Sequence, residues 1–441
     1  MSHGVPVIES VRDNELVVAR MKRFVRRPAL ASVLDQAAVS GFGFLSGIAV
    51  ARLVGIEEFG LFVLVLIITA FAQGLHNALV TAPMMTLAAR GRRAASTYEA
   101  TVLASAMLVS LVAATGTALA LVAIFALRHH PVEFDIVVSG AALTVAQNLQ
   151  LTVRRILFIR GRGLLAFAMD SVRALVFSFA IVAVWWSGLV LDAASATALL
   201  AATALITVVP LAYGIWRTPR RGLRFRPVAH RHWGIGRWMF PLVFVTFGQE
   251  QLAWIIADVV LGDEAIGGLR AAQYLVGFVI ILLTATENIL PTAAARAFET
   301  GGEQGLRTYL KRMALKLGPM VGLLLVTIAL PAGTWLSLVF GPAFAAYATS
   351  VRVLAVAVAC IFIRDMVTQY FRAIEDTGPV FQAFVISLMV SLVIMYPMIV
   401  YAGITGAAFV ITIGHAMSAA HLMLIMRQRS ANHSRSAMHA G

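Results

Sequence analysis

Long apolar blocks alternate with short polar segments along most of the chain. Most of the blocks reach the ~20 residues that a helix needs to cross the hydrocarbon core of a bilayer. Lipid offers no hydrogen-bond partners to the backbone, so a spanning segment of this length is expected to be helical. The pattern predicts an all-α polytopic membrane protein with about twelve transmembrane helices, at residues 30–54, 58–86, 99–127, 133–158, 164–188, 194–216, 237–262, 267–293, 311–333, 349–372, 379–402 and 404–427.

Basic residues are divided unequally between the two sides of these predicted spans. One side carries clusters at residues 20–27, 90–93, 154–162, 217–231, 296–312 and 427–429. The other side has Arg52, Arg128, Arg270 and Arg352, mixed with several acidic residues. Because cytoplasmic loops are enriched in Lys and Arg, the distribution predicts that both termini are cytoplasmic.

Composition excludes several classes of protein. Hydrophobic residues make up 60% of the chain and charged residues only 13%, against roughly half and a quarter in ordinary soluble domains. The mean hydropathy is +0.86, which indicates a membrane protein. The net charge of +14 lies in the cytoplasmic segments and predicts no nucleic-acid partner. No Gly-Lys pair is present, which excludes a P-loop ATPase. The one cysteine allows no internal disulfide, and no zinc-type cluster is present, so we expect no metal and no cofactor.

The sequence also contains a weak internal repeat. Residues 55–60 resemble residues 262–267, which lie 207 positions further on. Together with the basic segments, the repeat predicts two six-helix lobes at 29–216 and 237–427, divided by a basic linker at 217–236. Outside the lobes we expect a basic cytoplasmic segment at 1–28, which is either amphipathic or solvated, and a cytoplasmic tail at 428–441. Because each half has an even number of spans, the two would be parallel repeats around a central cavity, which favours a transporter over a membrane enzyme.

Several short motifs resemble those of the Wzx-type polysaccharide flippases. They are Leu34-Asp35-Gln36 with residues 51–55 and 57–60, residues 154–158 with 160–162 and Asp170, residues 287–291 with Arg296 and Gly301-Gly302, and Phe340-Gly341-Pro342. This family shares a superfamily with multidrug-and-toxin-extrusion antiporters and lipid II flippases. Covering roughly residues 28–427, the resemblance implies a non-enzymatic flippase of the bacterial inner membrane.

The same resemblance implies a substrate and a set of partners. The family moves undecaprenyl-diphosphate-linked oligosaccharide from the cytoplasmic to the periplasmic leaflet, for exopolysaccharide or O-antigen assembly. The implied surroundings are membrane lipids, and the candidate protein partners are a polysaccharide polymerase and a chain-length regulator.

Charged and amide side chains inside predicted spans are the candidates for substrate binding and coupling, because such groups are costly in lipid. The seventh span carries Gln249, Glu250 and Gln251. Glu250 either couples transport to a proton or cation, or is a buried carboxylate satisfied by a neighbouring helix. The tenth span carries Arg364, Asp365 and Gln369. Here Arg364 either meets the diphosphate, with Asp365 neutralising it between cycles, or forms a structural ion pair.

The fourth span ends in a polar stripe. Gln147 and Gln150 align above Arg154 and Arg155 at helical spacing, which favours a cavity wall, although cytoplasmic anchoring also explains the arginines. Asp35 on the first span has either a coupling role or a packing role. Other polar residues have structural interpretations: an Asp170–Arg173 pair one turn apart, a packing histidine at His76 and an interfacial Asp258.

Two other functions compete with the flippase. A cation-coupled antiporter of the multidrug-and-toxin-extrusion type should have an acidic cavity for cationic drugs, whereas this chain offers arginines. A polysaccharide polymerase or ligase needs a sizeable outer loop, and the predicted outer loops are short.

Overall fold

The apolar blocks form long helices in a computed structural model, which describes residues 28–88, 95–217, 222–287, 290–376 and 378–439. The predicted amphipathic segment at 1–27 lies outside these ranges. The side chains of Asp35, Gln249 and Glu250 are likewise outside the described part, so only the helical backbone at these three positions is considered.

The first half of the chain forms seven helices. They are α1 (Pro28–Val54), α2 (Ile56–His76), α3 (Ala82–Ala88), α4 (Ala95–Leu127), α5 (Phe134–Ile159), α6 (Gly163–Ser187) and α7 (Ala193–Trp216). A π-helical turn, Asn77–Thr81, joins α2 to α3, and together they make one span.

The second half forms six further helices. They are α8 (Phe225–Leu261), α9 (Asp263–Glu287), α10 (Leu290–Ala329), α11 (Ala332–Val339), α12 (Ala348–Ala373) and α13 (Gly378–His439). A short 3₁₀ helix, Pro342–Tyr347, precedes α12. From Phe225 onward, the predicted linker belongs to α8.

The number of spans agrees with the prediction of about twelve. Within the described residues, nine helices are long and apolar enough to cross a membrane, and a pair bent by 48° at residues 239–248 and 251–261 makes a tenth. One of the nine, in α13, is divided at Gly403, whose φ of 55° and ψ of −139° are not helical. That break falls between the two predicted spans 379–402 and 404–427. At the first predicted span, α1 contains a shorter apolar helix, Gly41–Val54.

The internal repeat is visible in the backbone. Gly55, between α1 and α2, has φ 83° and ψ 178°, and Gly262, between α8 and α9, has φ 86° and ψ −179°. Both glycines use a positive φ that other residues rarely adopt. Two halves with the same turn at positions 207 residues apart are the parallel repeats that the sequence predicted.

Helices of each half pack chiefly against one another, and α2 and α9 make the largest contact between the halves. We call the end of the bundle that carries Gly55, Arg128 and Gly262 the outer end, because the arginine distribution predicts it to be periplasmic. The α2–α9 contact at this end is reciprocal. A Cβ at Gly60 would meet the Asp263 carbonyl oxygen, and a Cβ at Gly267 would meet the Ile56 carbonyl oxygen. Only glycine permits helix backbones to approach this closely.

Candidate functional site

A cavity of about 490 Å³ lies between the two halves. Residues of α1, α2, α5, α6 and α7 form its wall on one side, and residues 270–281 of α9 form the other. Much of the wall is apolar, and its charged members are Arg154, Asp170, Arg173 and Arg270. The formal charge of this lining is therefore +2.

A buried hydrogen-bond network fixes the charged groups of the first half. Arg154 forms a salt bridge with Asp170 at 3.3 Å, and Gln150 donates to the Asp170 carboxylate at 2.5 Å. Arg173 in turn donates to the side-chain oxygen Oε1 of Gln150, and its guanidinium carbon lies 5.2 Å from the Phe42 ring centroid. One carboxylate and one amide thus hold two guanidinium groups at the cavity wall.

The salt-bridge partner of Asp170 differs from the one that its sequence spacing suggested. An i,i+3 spacing on α6 predicted a pair with Arg173, but Asp170 bonds to Gln150 and pairs with Arg154, both on α5. Packing of α5 against α6 brings these groups together, and spacing within one helix cannot reveal such a contact.

Arg270 is the charged residue that the second half contributes to the cavity. Its Nη1 donates to Gln273 Oε1 at 2.6 Å, and its guanidinium carbon lies 5.2 Å from the Tyr274 ring centroid and 5.7 Å from that of Trp254. It forms no salt bridge with any residue in the described part of the chain. Stacking on aromatic rings holds a guanidinium in place without neutralising its charge.

Arg270 was counted among the outer-side residues and was not among the predicted cavity residues. Arg270 lies two turns inside α9 and lines the cavity. A signal was available, since the predicted span already began at residue 267. Gln273, Tyr274 and Gly277 follow Arg270 along one helical face at spacings of three, four and seven.

The residues predicted on the fourth span lie at the same cavity, with one exception. Gln147, Gln150 and Arg154 line it, whereas Arg155 is half-buried and is not among the described lining residues. Gln251, on α8, is also half-buried and is not among them.

The residues predicted on the tenth span form a separate cluster between α12 and α13. Arg364 donates through Nε and Nη2 to Asp365 Oδ1, at 3.0 and 2.9 Å. Its Nη1 lies 3.2 Å from His415 Nδ1, and its guanidinium carbon lies 5.4 Å from the Phe384 ring centroid. Gln369, one turn further along α12, is buried. These residues are not among the described lining of the central cavity.

Contacts between the two halves close the cavity at the outer end. Arg52 donates to the backbone carbonyls of Leu338 and Val339. An aromatic cluster of Phe59, Tyr274, Phe340 and Phe344 spans the boundary, with ring centroids 5.7 to 6.4 Å apart. We call these contacts, with the Gly60 and Gly267 approach, the outer gate.

A salt bridge between the halves completes the outer gate. Arg128 donates two hydrogen bonds to Asp263 and also lies 3.7 Å from Asp258. The prediction that Asp258 is interfacial was wrong, because its side chain is 0% exposed. Hydropathy places a residue along the membrane normal, but it does not show that a second helix bundle covers the residue.

Among known proteins, only solved structures match this chain. No protein-family model and no curated protein sequence matches the chain. An inward-facing multidrug resistance MATE family transporter of the MOP superfamily aligns with a TM-score of 0.71 at 15% identity, covering 92% of this chain and 99% of that one. The lipid II flippase MurJ, in an inward closed conformation, aligns with a TM-score of 0.66 at 12% identity over 90% and 87%.

An outward-facing MATE family structure aligns less well, with a TM-score of 0.57 at 15% identity over 92% of this chain and 95% of that one. The closed outer gate described above agrees with the better inward-facing match. At these identities the likeness shows the architecture alone. The chain has the fold of the MOP-superfamily membrane transporters.

Proposed function

We propose that the chain is a flippase that carries undecaprenyl-diphosphate-linked oligosaccharide from the cytoplasmic to the periplasmic leaflet, by alternating access of the central cavity. The observation that carries the proposal is the charge of the cavity, where Arg154, Arg173 and Arg270 face one carboxylate, Asp170. A diphosphate needs cationic donors, and guanidinium groups bind phosphate oxygens through paired hydrogen bonds. Amide side chains such as Gln73, Gln147 and Gln273 in the same lining suit the hydroxyl groups of sugars.

Arg270 is the group that we assign to the diphosphate. Arg154 and Arg173 are both engaged with the Gln150–Asp170 network. Arg270 is held by an amide and two aromatic rings, and it has no carboxylate partner in the described part of the chain. Arg270 also lies on the half opposite the Arg154 network, so one anionic group between them would contact both halves.

The proposed function includes the membrane topology and the residue roles that we predicted from the sequence. We propose an inner-membrane protein with cytoplasmic termini, divided into lobes at 29–216 and 237–427 by the basic linker. Coupling is proposed at Glu250, Asp35 and Asp365, with Gln249, Gln251 and Gln369 as further polar contacts. The candidate partners remain a polysaccharide polymerase and a chain-length regulator.

A cation-coupled multidrug antiporter is the second candidate, because a multidrug resistance transporter has the same fold. A cavity lined by three arginines repels cationic drugs, which disfavours this function. A polymerase or ligase is disfavoured by the short connections at the outer end.

The test uses purified protein in vesicles and a fluorescent undecaprenyl-diphosphate oligosaccharide. A charge-assisted hydrogen bond contributes about 1.5–3 kcal/mol, so Arg270→Ala should slow translocation by roughly 10- to 150-fold. Arg270→Lys should recover part of the rate, since a point charge still attracts phosphate. Arg226→Ala is the matched control, because it removes an exposed arginine of α8 and should leave the rate unchanged.

Ethidium transport in the same vesicles separates the two candidates. A flippase should translocate the lipid and not the dye. Dye transport without lipid transport would establish the antiporter and reject the proposed substrate.

A further inference from the structure

Three charged side chains meet at the outer gate, away from the cavity. Arg128 directly follows α4 in the first half. Asp258, in the last turns of α8, and Asp263, at the start of α9, belong to the second half. Arg128 donates from Nη1 to Asp263 Oδ1 at 2.8 Å and from Nη2 to Asp263 Oδ2. Its Nη1 also lies 3.7 Å from Asp258 Oδ1. One guanidinium is thus shared by two carboxyl groups across the boundary.

The site is buried and its charges do not balance. The side chains of Arg128, Asp258 and Asp263 are 5%, 0% and 17% exposed. With both carboxyl groups ionised, the three would carry a net charge of −1. Burying an uncompensated charge costs several kcal/mol per ion, so a group in this position takes up a proton or a cation instead.

The surroundings of Asp258 indicate where the missing positive charge belongs. Neither of its carboxyl oxygens has a hydrogen-bond partner in the described part of the chain. Both carboxyl groups lie against the same guanidinium of Arg128, Asp263 through two hydrogen bonds and Asp258 at 3.7 Å. With one proton held by the two carboxyl groups together, the pair carries a single negative charge, and Arg128 neutralises it.

The other charged groups that face this site are acidic. They are Glu133 ahead of α5, which faces Arg128, and behind it Glu58 in the first turn of α2 and Asp192 at the start of α7, which face Glu133. Burial, followed by the charges of Glu58 and Asp263, raises the pKa of Glu133. Burial lowers the pKa of Arg128, but the hydrogen bonds to Asp263 and the charges of Asp258 and Asp263 raise it overall. The surroundings therefore favour added positive charge and keep Arg128 ionised.

We propose that Asp258 and Asp263 bind one proton between them while the outer gate is closed, and release it when the gate opens. Opening withdraws Arg128 with the first half and exposes the two carboxyl groups to water. Carboxyl groups of aspartate in water are ionised at neutral pH. The closed state thus holds one proton more than the open state, and acid on the outer side favours closure. Linkage predicts a tenfold change in the open-to-closed ratio per pH unit, wherever the closed pair is protonated and the open pair is not.

The proposal concerns the gate and does not depend on the transported substrate. Spin labels at His130→Cys and Ala343→Cys, on exposed residues of opposite halves, report the separation across the outer gate. The background is Cys360→Ser, which removes the single native cysteine. Pulsed electron–electron distance measurements on the full chain in lipid nanodiscs, from pH 5 to pH 8, give the open-to-closed ratio.

Two variants test the carboxyl pair and one serves as control. Asp258→Asn and Asp263→Asn each leave one carboxylate to balance Arg128, so each should remove the pH dependence and favour the closed gate. Either variant suffices if the other fails to fold. Asp192→Asn removes a nearby acid outside the pair while keeping a side chain that caps α7, and it should retain the pH dependence.

Three results would overturn the proposal. The first is a wild-type ratio that does not change with pH, and the second is a pH dependence that persists in both Asn variants. The third is a ratio that responds at fixed pH to replacement of sodium chloride by choline chloride, because the bound cation would then be sodium.

Discussion

Adding one methyl group at Gly60 should open the outer gate. The Cβ of an alanine there would lie 1.9 Å from the Asp263 carbonyl oxygen and 2.5 Å from its carbonyl carbon. Cβ atoms essentially never come within 3.0 Å of such atoms, so α2 and α9 must separate by at least 1.1 Å at this point. The obstructing atoms belong to the backbone, which cannot rotate away as a side chain can. The clash exists only while the two halves meet at the outer end.

The size of the effect follows from the cost of overpacking. Inserting a methyl group into a close-packed contact costs about 1–3 kcal/mol. Because only the closed state bears this cost, the open-to-closed ratio should rise by roughly 5- to 150-fold. Alanine also stabilises a helix relative to glycine by roughly 0.5–1 kcal/mol. That gain applies to both states, so it cancels from the ratio.

The measurement is the distance between spin labels at His130→Cys and Ala343→Cys. Gly60→Ala should shift the population toward the longer, open distance. The matched control is Gly116→Ala in α4, where an added Cβ meets nothing within 4 Å and the distribution should not change. If Gly60→Ala gives the same distribution as this control, the α2–α9 contact does not hold the gate closed and the reasoning fails.

Two other features give independent expectations. The ring of His232 contacts the Leu79 carbonyl and the Tyr98 hydroxyl. Burial lowers the pKa of His232 below its usual value of 6.5. The neutral ring therefore contributes its full stabilisation of the folded state above about pH 6.5, and this contribution is lost as the pH falls toward the lowered pKa. The Tm in detergent should therefore fall less between pH 7.5 and pH 5.5 for His232→Gln than for the wild type, and equal falls would contradict this. Gly403 has a backbone conformation that other residues rarely adopt, with open space around an added Cβ, so Gly403→Ala should reduce stability by about 1–3 kcal/mol through strain alone. Thermal unfolding beside Gly116→Ala measures this, and a loss no larger than the control's would rule out strain.

The architecture could be predicted because few backbone structures can cross a bilayer. A span must be helical and about 20 residues long, and the breaks at Gly55, Gly262 and Gly403 fall where the apolar blocks are interrupted. The repeat was also detectable, since both outer turns have a positive φ and both carry glycine.

The candidate site could be predicted only where its residues shared one helix. Gln147, Gln150 and Arg154 formed a stripe on α5 and do line the cavity. The partner of Asp170, the depth of Arg270 and the burial of Asp258 depend on how separate helices pack, and a single sequence does not contain that information. A charge inside a span does not by itself identify a cavity residue. Arg364 was predicted to line the cavity for that reason, but its partners in the structure are Asp365 and His415.

The reciprocal contact of Gly60 with Asp263 and of Gly267 with Ile56 has the form of an interface in a two-fold symmetric homodimer. In such a dimer every substitution appears twice, so a residue beside the axis faces its own copy. Joining the halves in one chain removes that restriction. Position 270 carries arginine while its counterpart, position 63, carries valine, and Asp258 corresponds to Ala51. The two halves therefore repeat the same backbone and carry different side chains at equivalent positions. The cavity can present the Arg270 guanidinium from one half toward the Gln150–Asp170 network of the other.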